Sequence, residues 1–211
     1  MGREVTLIFL LVIGTLSGLY HLRQVPWIGT NLLVFAALLM VYVPLLHQRV
    51  RRLSLRFFET DLRSLISSLK LFTLTGLSLF PLFLIANHFY QQLFFNRSFQ
   101  WGPAPLGPPF NLASMIPLQL FLVAFPEEFF FRGWLQSFLS RSLGTIRAVL
   151  LTSAIFAVAH SLIALEWWHF AIFFPGCVFG WLKEKTGAIT ASVLFHAMSN
   201  LLVAWIGICY Q

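Results

Sequence analysis

Apolar residues run along this chain in blocks too long for a soluble core. Seven stretches are almost uninterrupted: Val5–Tyr20, Ile28–Leu46, Leu69–Phe95, Leu112–Leu139, Arg147–Leu165, Trp168–Leu182 and Ala188–Cys209. A helix of about 20 such residues crosses a bilayer, so each block is a predicted span. The first and sixth are short. The third and fourth are long enough to hide a break at Pro81 or Pro117, and with it an eighth span or a re-entrant piece. Between the blocks, Asn96–Asn111 (NRSFQWGPAPLGPPFN) is the one sizeable loop, and its prolines and glycines exclude a regular helix. Arg49–Lys70 alternates basic residues with Leu, Phe and Ser. It fits an amphipathic helix on anionic lipid or a solvated connector. Gly14-x3-Gly18 and Gly176-x3-Gly180 permit close helix approach and read as packing. No internal repeat is visible. The pattern predicts an all-α polytopic membrane protein of seven to eight spans. Residues 1–111 supply N-terminal helices and loops, and residues 112–211 supply a helical core of the same membrane domain.

Composition agrees. Of the 211 residues, 58% are hydrophobic and 10% charged, against about 25% charged in a soluble domain. Cys177 and Cys209 stand in separate apolar stretches, which indicates neither a disulfide framework nor a thiolate zinc site. The net charge of +7 has a topogenic explanation and does not call for nucleic acid. With the N-terminus inside, the inner side holds Arg3, Arg49, Arg51, Arg52, Arg56, Arg63, Lys70, Arg141, Arg147, Lys183 and Lys185. The outer side holds Arg23 and Arg97. Eleven against two predicts a cytoplasmic N-terminus and an outer C-terminus, which suggests a bacterial inner membrane, although the same rule holds in the endoplasmic reticulum. Trp27, Trp101, Trp167, Trp168 and Trp205 fall near the outer boundary, as an aromatic belt would. Met1–Tyr20 lacks a small-residue cleavage site and reads as an uncleaved anchor. The match of its first residues to a myristoylation signal reads as chance.

An ionisable group within a span costs roughly 2.5–3.5 kcal/mol on insertion scales, so the exceptions carry the chemistry. Glu127, Glu128 and Arg132 sit in FLVAFPEEFFFRGWLQSFL. Glu128 and Arg132 are i, i+4 and can pair, which leaves Glu127 on another face as a surplus negative charge. Pro126 before them can open the helix. His160 follows Phe156 by one turn, and His196 and Asn200 are again i, i+4. Counted from the inner span ends, these groups lie at similar depths, roughly 12–20 Å in at 1.5 Å per residue. A shared polar cavity explains that match. A desolvated carboxylate is a better base, one His can orient the same water, and the other His with the Asn amide can stabilise an oxyanion. The set contains no good covalent nucleophile. A carboxylate with two His would also suit zinc, but HExxH is absent and the acidic pair already has Arg132.

These residues resemble the CAAX protease and bacteriocin-processing family of intramembrane glutamic endopeptidases. EEFFFR (Glu127–Arg132) matches its EExxxR motif, FAVAH (Phe156–His160) its FxxxH motif and HAMSN (His196–Asn200) its HxxxN motif, in order over Pro126–Leu201. The resemblance implies a peptidase acting on a peptide bond of a membrane-associated protein, with no cofactor and no metal. Glu127 looks like the water-activating base, assisted by His160. Glu128 and Arg132 look like its supports, and His196 and Asn200 like the oxyanion pair. The rival readings are a silent or transporter-like protein whose Glu/His cluster binds a partner or relays protons, and a metal-dependent membrane hydrolase.

Overall fold

The computed structural model describes residues 2–99, 112–164 and 167–210. Seven helices account for most of the described chain. They are α1 (Gly2–His21), α2 (Pro26–Val50), α3 (Leu62–Phe95), α4 (residues 112–143), α5 (Thr145–Ala164), α6 (Phe173–Thr186) and α7 (Thr190–Cys209). A 3₁₀ turn, Trp167–Ile172, leads into α6. Among the described residues there is no strand, only an isolated bridge between Phe99 and Tyr210. Local sequence explains the boundaries. Pro26 opens α2 at its first turn, where the missing N–H costs nothing. The Asp61 carboxylate caps α3 by accepting the Ser64 N–H at 2.9 Å, and that bond holds its carboxyl below the usual carboxylate range. Gly144 (φ 78°) and Gly187 (φ 71°) turn the chain after α4 and α6 in conformations that side chains resist. Pro81 lies inside α3 without breaking it.

Among the described residues six helices are long and apolar enough to cross a membrane, and the protein is an integral, multi-pass, all-α membrane protein. The remaining helix, α6, is too short to do so by itself. The block Trp168–Leu182 folds as the 3₁₀ turn followed by α6, whose 14 residues extend about 21 Å, short of a hydrocarbon core of about 30 Å. Helix α6 nevertheless returns the chain to the face it left. That face gathers the start of α1 and the end of α2, where Glu4 pairs with Arg51. It also gathers the end of α4, whose Arg141 donates to the Ser54 carbonyl at 3.3 Å, and the start of α7, whose Ile189 N–H donates to Phe57 O at 2.9 Å. The opposite face joins the ends of α3 and α7, where His88 and Tyr210 hydrogen-bond at 2.9 Å. The basic segments thus collect on one face, as the charge pattern predicts.

The segment after α2 is not an amphipathic helix. Residues 53–57 are extended, with Leu55 and Phe57 buried and Ser54 and Arg56 exposed. Phe57 stacks on Phe129 of α4 at 4.1 Å, over Gly133, where a Cβ would fall 2.5 Å from its ring. Burying Phe57 against α4 outweighs a helix lying on lipid. The two small-residue pairs also part ways. Gly180 approaches Gln136 so closely that a Cβ would lie 2.7 Å from its Oε1, whereas Gly14 and Gly18 meet nothing within 4 Å. The predicted loop beyond Phe99, including Trp101, lies outside the described residues, as do Leu165, Glu166 and the side chains of Trp167 and Trp168.

Candidate active site

Helix α4 changes its winding around the acidic pair. It is α-helical over Leu112–Pro117, π-helical over Leu118–Ala124, α-helical over Phe125–Glu128, π-helical over Phe129–Gln136 and α-helical over Ser137–Leu143. Pro126 has no N–H to continue an ordinary ladder. The Phe125 N–H before it reaches back five residues to Leu120 O. Pro126 therefore loosens the helix without breaking it, and π stretches of this kind are frequent at functional sites. Pro117 likewise marks a change of winding and not a break.

Glu128 and Arg132 form the expected pair, at 2.9 Å between Oε1 and Nη1, and both side chains are fully buried. A bare pair at this depth would not recover its desolvation cost, and the structure supplies further partners. Arg132 Nη2 donates to Gly176 O at 3.1 Å, an approach that the missing side chain of Gly176 permits. The guanidinium carbon stands 4.2 Å from the Phe156 ring centroid and 5.1 Å from that of Phe179, within cation–π range. The Nδ1–H of His196 donates to Glu128 Oε1 at 2.9 Å, while its ring stacks on Phe179 at 4.6 Å.

Glu127, half-buried and turned away from Arg132, faces α5 and α7. Its Oε2 lies 3.6 Å from His160 Nε2 and 3.8 Å from His196 Nε2. Each ring is fixed from its other nitrogen. His160 Nδ1 lies 2.9 Å from Phe156 O, an atom that can only accept, and His196 Nδ1 meets the Glu128 carboxylate. Both Nδ1 atoms therefore carry hydrogen, and both Nε2 edges are presented to Glu127. Glu127, His160, His196 and Asn200 line one cavity of about 440 Å³. The structure thus brings together all six residues singled out in the sequence: four on the cavity wall, and Glu128 and Arg132 directly behind it. Among the described residues no group of three His, Cys, Asp or Glu side chains is arranged to hold a metal ion.

Two wall or near-wall residues escape sequence reasoning. His169 lines the cavity from the 3₁₀ turn, its ring 6.1 Å from that of His160. Gln119 Oε1 accepts a hydrogen bond from Asn200 Nδ2 at 3.0 Å. The available signal for Gln119 was a lone amide in LASMIPLQLFLVA. For His169 it was a histidine next to a span too short to cross.

Residues 109–202 match the family described as type II CAAX prenyl endopeptidase, Rce1-like. The matched stretch contains all three motifs, so the resemblance read from them is borne out. Comparison with curated proteins finds no match, and comparison with solved structures finds none.

Proposed function

We propose that this chain is an intramembrane endopeptidase of the glutamic type. The reading rests on one observation: Glu127 Oε2 faces the Nε2 atoms of two histidines whose other nitrogens are already committed. A water between Glu127 and His160 gives up a proton to the carboxylate as its oxygen attacks the scissile carbonyl. The developing oxyanion takes hydrogen bonds from Asn200 and from His196. Because His196 Nδ1–H is engaged, Nε2 donates only when the ring is the imidazolium, and Glu128 is its counter-charge. The C–N bond then breaks, and the proton held by Glu127 passes to the departing nitrogen. Residues 112–211 carry this chemistry, and residues 1–111 hold it in the membrane.

The matched family is described as a CAAX prenyl endopeptidase, so a quenched peptide with a prenylated CAAX end is the first probe. Purified protein is expected to cleave it in detergent and to keep that activity in excess chelator. Loss in chelator with recovery on added zinc overturns the glutamic mechanism in favour of metal hydrolysis.

The eleven basic residues on the N-terminal side support a cytoplasmic placement of that face, in a bacterial inner membrane. A reporter inserted in the 51–61 segment should be active on the cytoplasmic side, and one fused after Gln211 on the outer side. Both reporters on one side would overturn the orientation.

A further inference from the structure

Asn200 has a weakness as an oxyanion donor. Its amide is symmetric in shape, and a half-turn about the last side-chain bond replaces an N–H by a carbonyl oxygen. Facing the cavity with that oxygen, Asn200 would repel the negative charge it is meant to stabilise. Something has to hold the amide the right way round. In α7 the preceding ionisable residue, His196, is engaged with Glu128 and does not reach this amide. The group that meets Asn200 is Gln119 Oε1, at 3.0 Å, across the gap between α4 and α7.

Gln119 is an expensive residue where it stands, a half-buried amide in a run of Leu, Phe, Val and Ala. Such a group within a bilayer needs a partner. The winding of α4 explains how it finds this one. Residues eight apart on an ordinary α-helix, at about 100° each, are separated by nearly a quarter turn. The π-helical stretch Leu118–Ala124 spreads each turn over more residues, which brings Gln119 and Glu127 back toward one face. The same stretch that seats the base on the cavity thereby seats Gln119 beside Asn200.

We propose that Gln119 is a positioning residue for the oxyanion site. Its side-chain oxygen takes one N–H of Asn200 and thereby aims the other into the cavity. This rests on the oxyanion role of Asn200 proposed above. Gln119 itself is not among the residues that line the cavity and acts through Asn200. Its loss should therefore lower kcat and leave KM unchanged, because the misaimed amide matters only when charge develops.

The test is a double-mutant cycle on the prenylated CAAX probe, with Gln119→Met, Asn200→Ala and the pair. Methionine keeps the length of the side chain and removes the amide. Asn200→Ala should cost roughly 10²–10³-fold in kcat, the usual cost of one oxyanion donor. Gln119→Met should cost on the order of tenfold in kcat with KM held and melting temperature unchanged, as expected of a misaimed donor still present part of the time. The double variant should be no slower than Asn200→Ala alone, since the effect of Gln119 passes through Asn200. Two results overturn the assignment while sparing the enzyme reading: Gln119→Met at full kcat beside a slow Asn200→Ala, or costs that multiply in the double variant. An Asn200→Ala variant that cleaves at the wild-type rate removes the oxyanion role itself, and the assignment falls with it. No cleavage by the wild type takes down the prenyl-peptidase reading as a whole.

Discussion

Glu127→Gln is expected to abolish peptide hydrolysis and leave the melting temperature unchanged. Glutamine keeps the size and much of the hydrogen bonding of glutamate but cannot take the proton from water. Positioned base catalysis is worth about 10²–10⁴-fold, and unassisted attack by water on a peptide bond is too slow to register above that. The fold should tolerate the change because Glu127 makes no bond to Arg132. Its contacts are the edges of His160 and His196, at 3.6 and 3.8 Å, and a neutral amide beside two imidazoles is easier to bury than a charge. His160→Ala should be nearly as severe, since it removes the second group that holds the water. A live Glu127→Gln beside a dead Glu128→Gln would reverse the two carboxylates. Full activity in both would remove the hydrolytic site and favour a binding or proton-relay role for the cluster.

Arg132→Ala should fail in a different way, losing stability together with activity. The variant strands Glu128, which is fully buried, with His196 as its remaining partner. Breaking a buried pair from one side typically costs about 3–5 kcal/mol. The same deletion empties the space between Phe156 and Phe179 and frees the Gly176 carbonyl, so α4, α5 and α6 all loosen. Arg132→Lys should recover part of the stability, since a point charge replaces a fork that bonds two acceptors at once. Thermal melting in detergent beside the cleavage assay reads both effects. An Arg132→Ala protein that melts with the wild type while cleaving slowly would move Arg132 from scaffold to direct catalysis.

What was legible in the sequence follows from what one-dimensional spacing encodes. The Glu128–Arg132 pair and the separate direction of Glu127 follow from the pitch of a helix, and the structure has both. The meeting of Glu127 with His160 and His196 was legible from depth, because bilayer thickness makes position along a span a coordinate shared between spans. Gln119 was not legible in that way. Its meaning lies in one contact to α7, and a contact between helices leaves no period in either. Of the two readings of the segment after α2, the connector holds over residues 51–61. The alternation of Leu53, Leu55 and Phe57 with Ser54 and Arg56 is period two, and it is what the extended chain uses. The sixth block reads as short in the sequence, and its 14 residues of helix cross only together with the 3₁₀ turn before them.

The π-helical winding of α4 carries information that its letters do not. A π stretch is in effect an α-helix with a residue to spare. Were Leu118–Ala124 wound as ordinary α-helix with no residue removed, everything before it would turn by nearly a quarter turn against everything after it. EEFFFR, FAVAH and HAMSN would still read unchanged, yet the amide facing Asn200 would point at lipid. In a homologous chain one residue shorter between the two prolines, ordinary α winding would keep that phase, whereas at the present length the π winding is what keeps it. Loss of function by a change of phase is invisible to any comparison that scores identities alone.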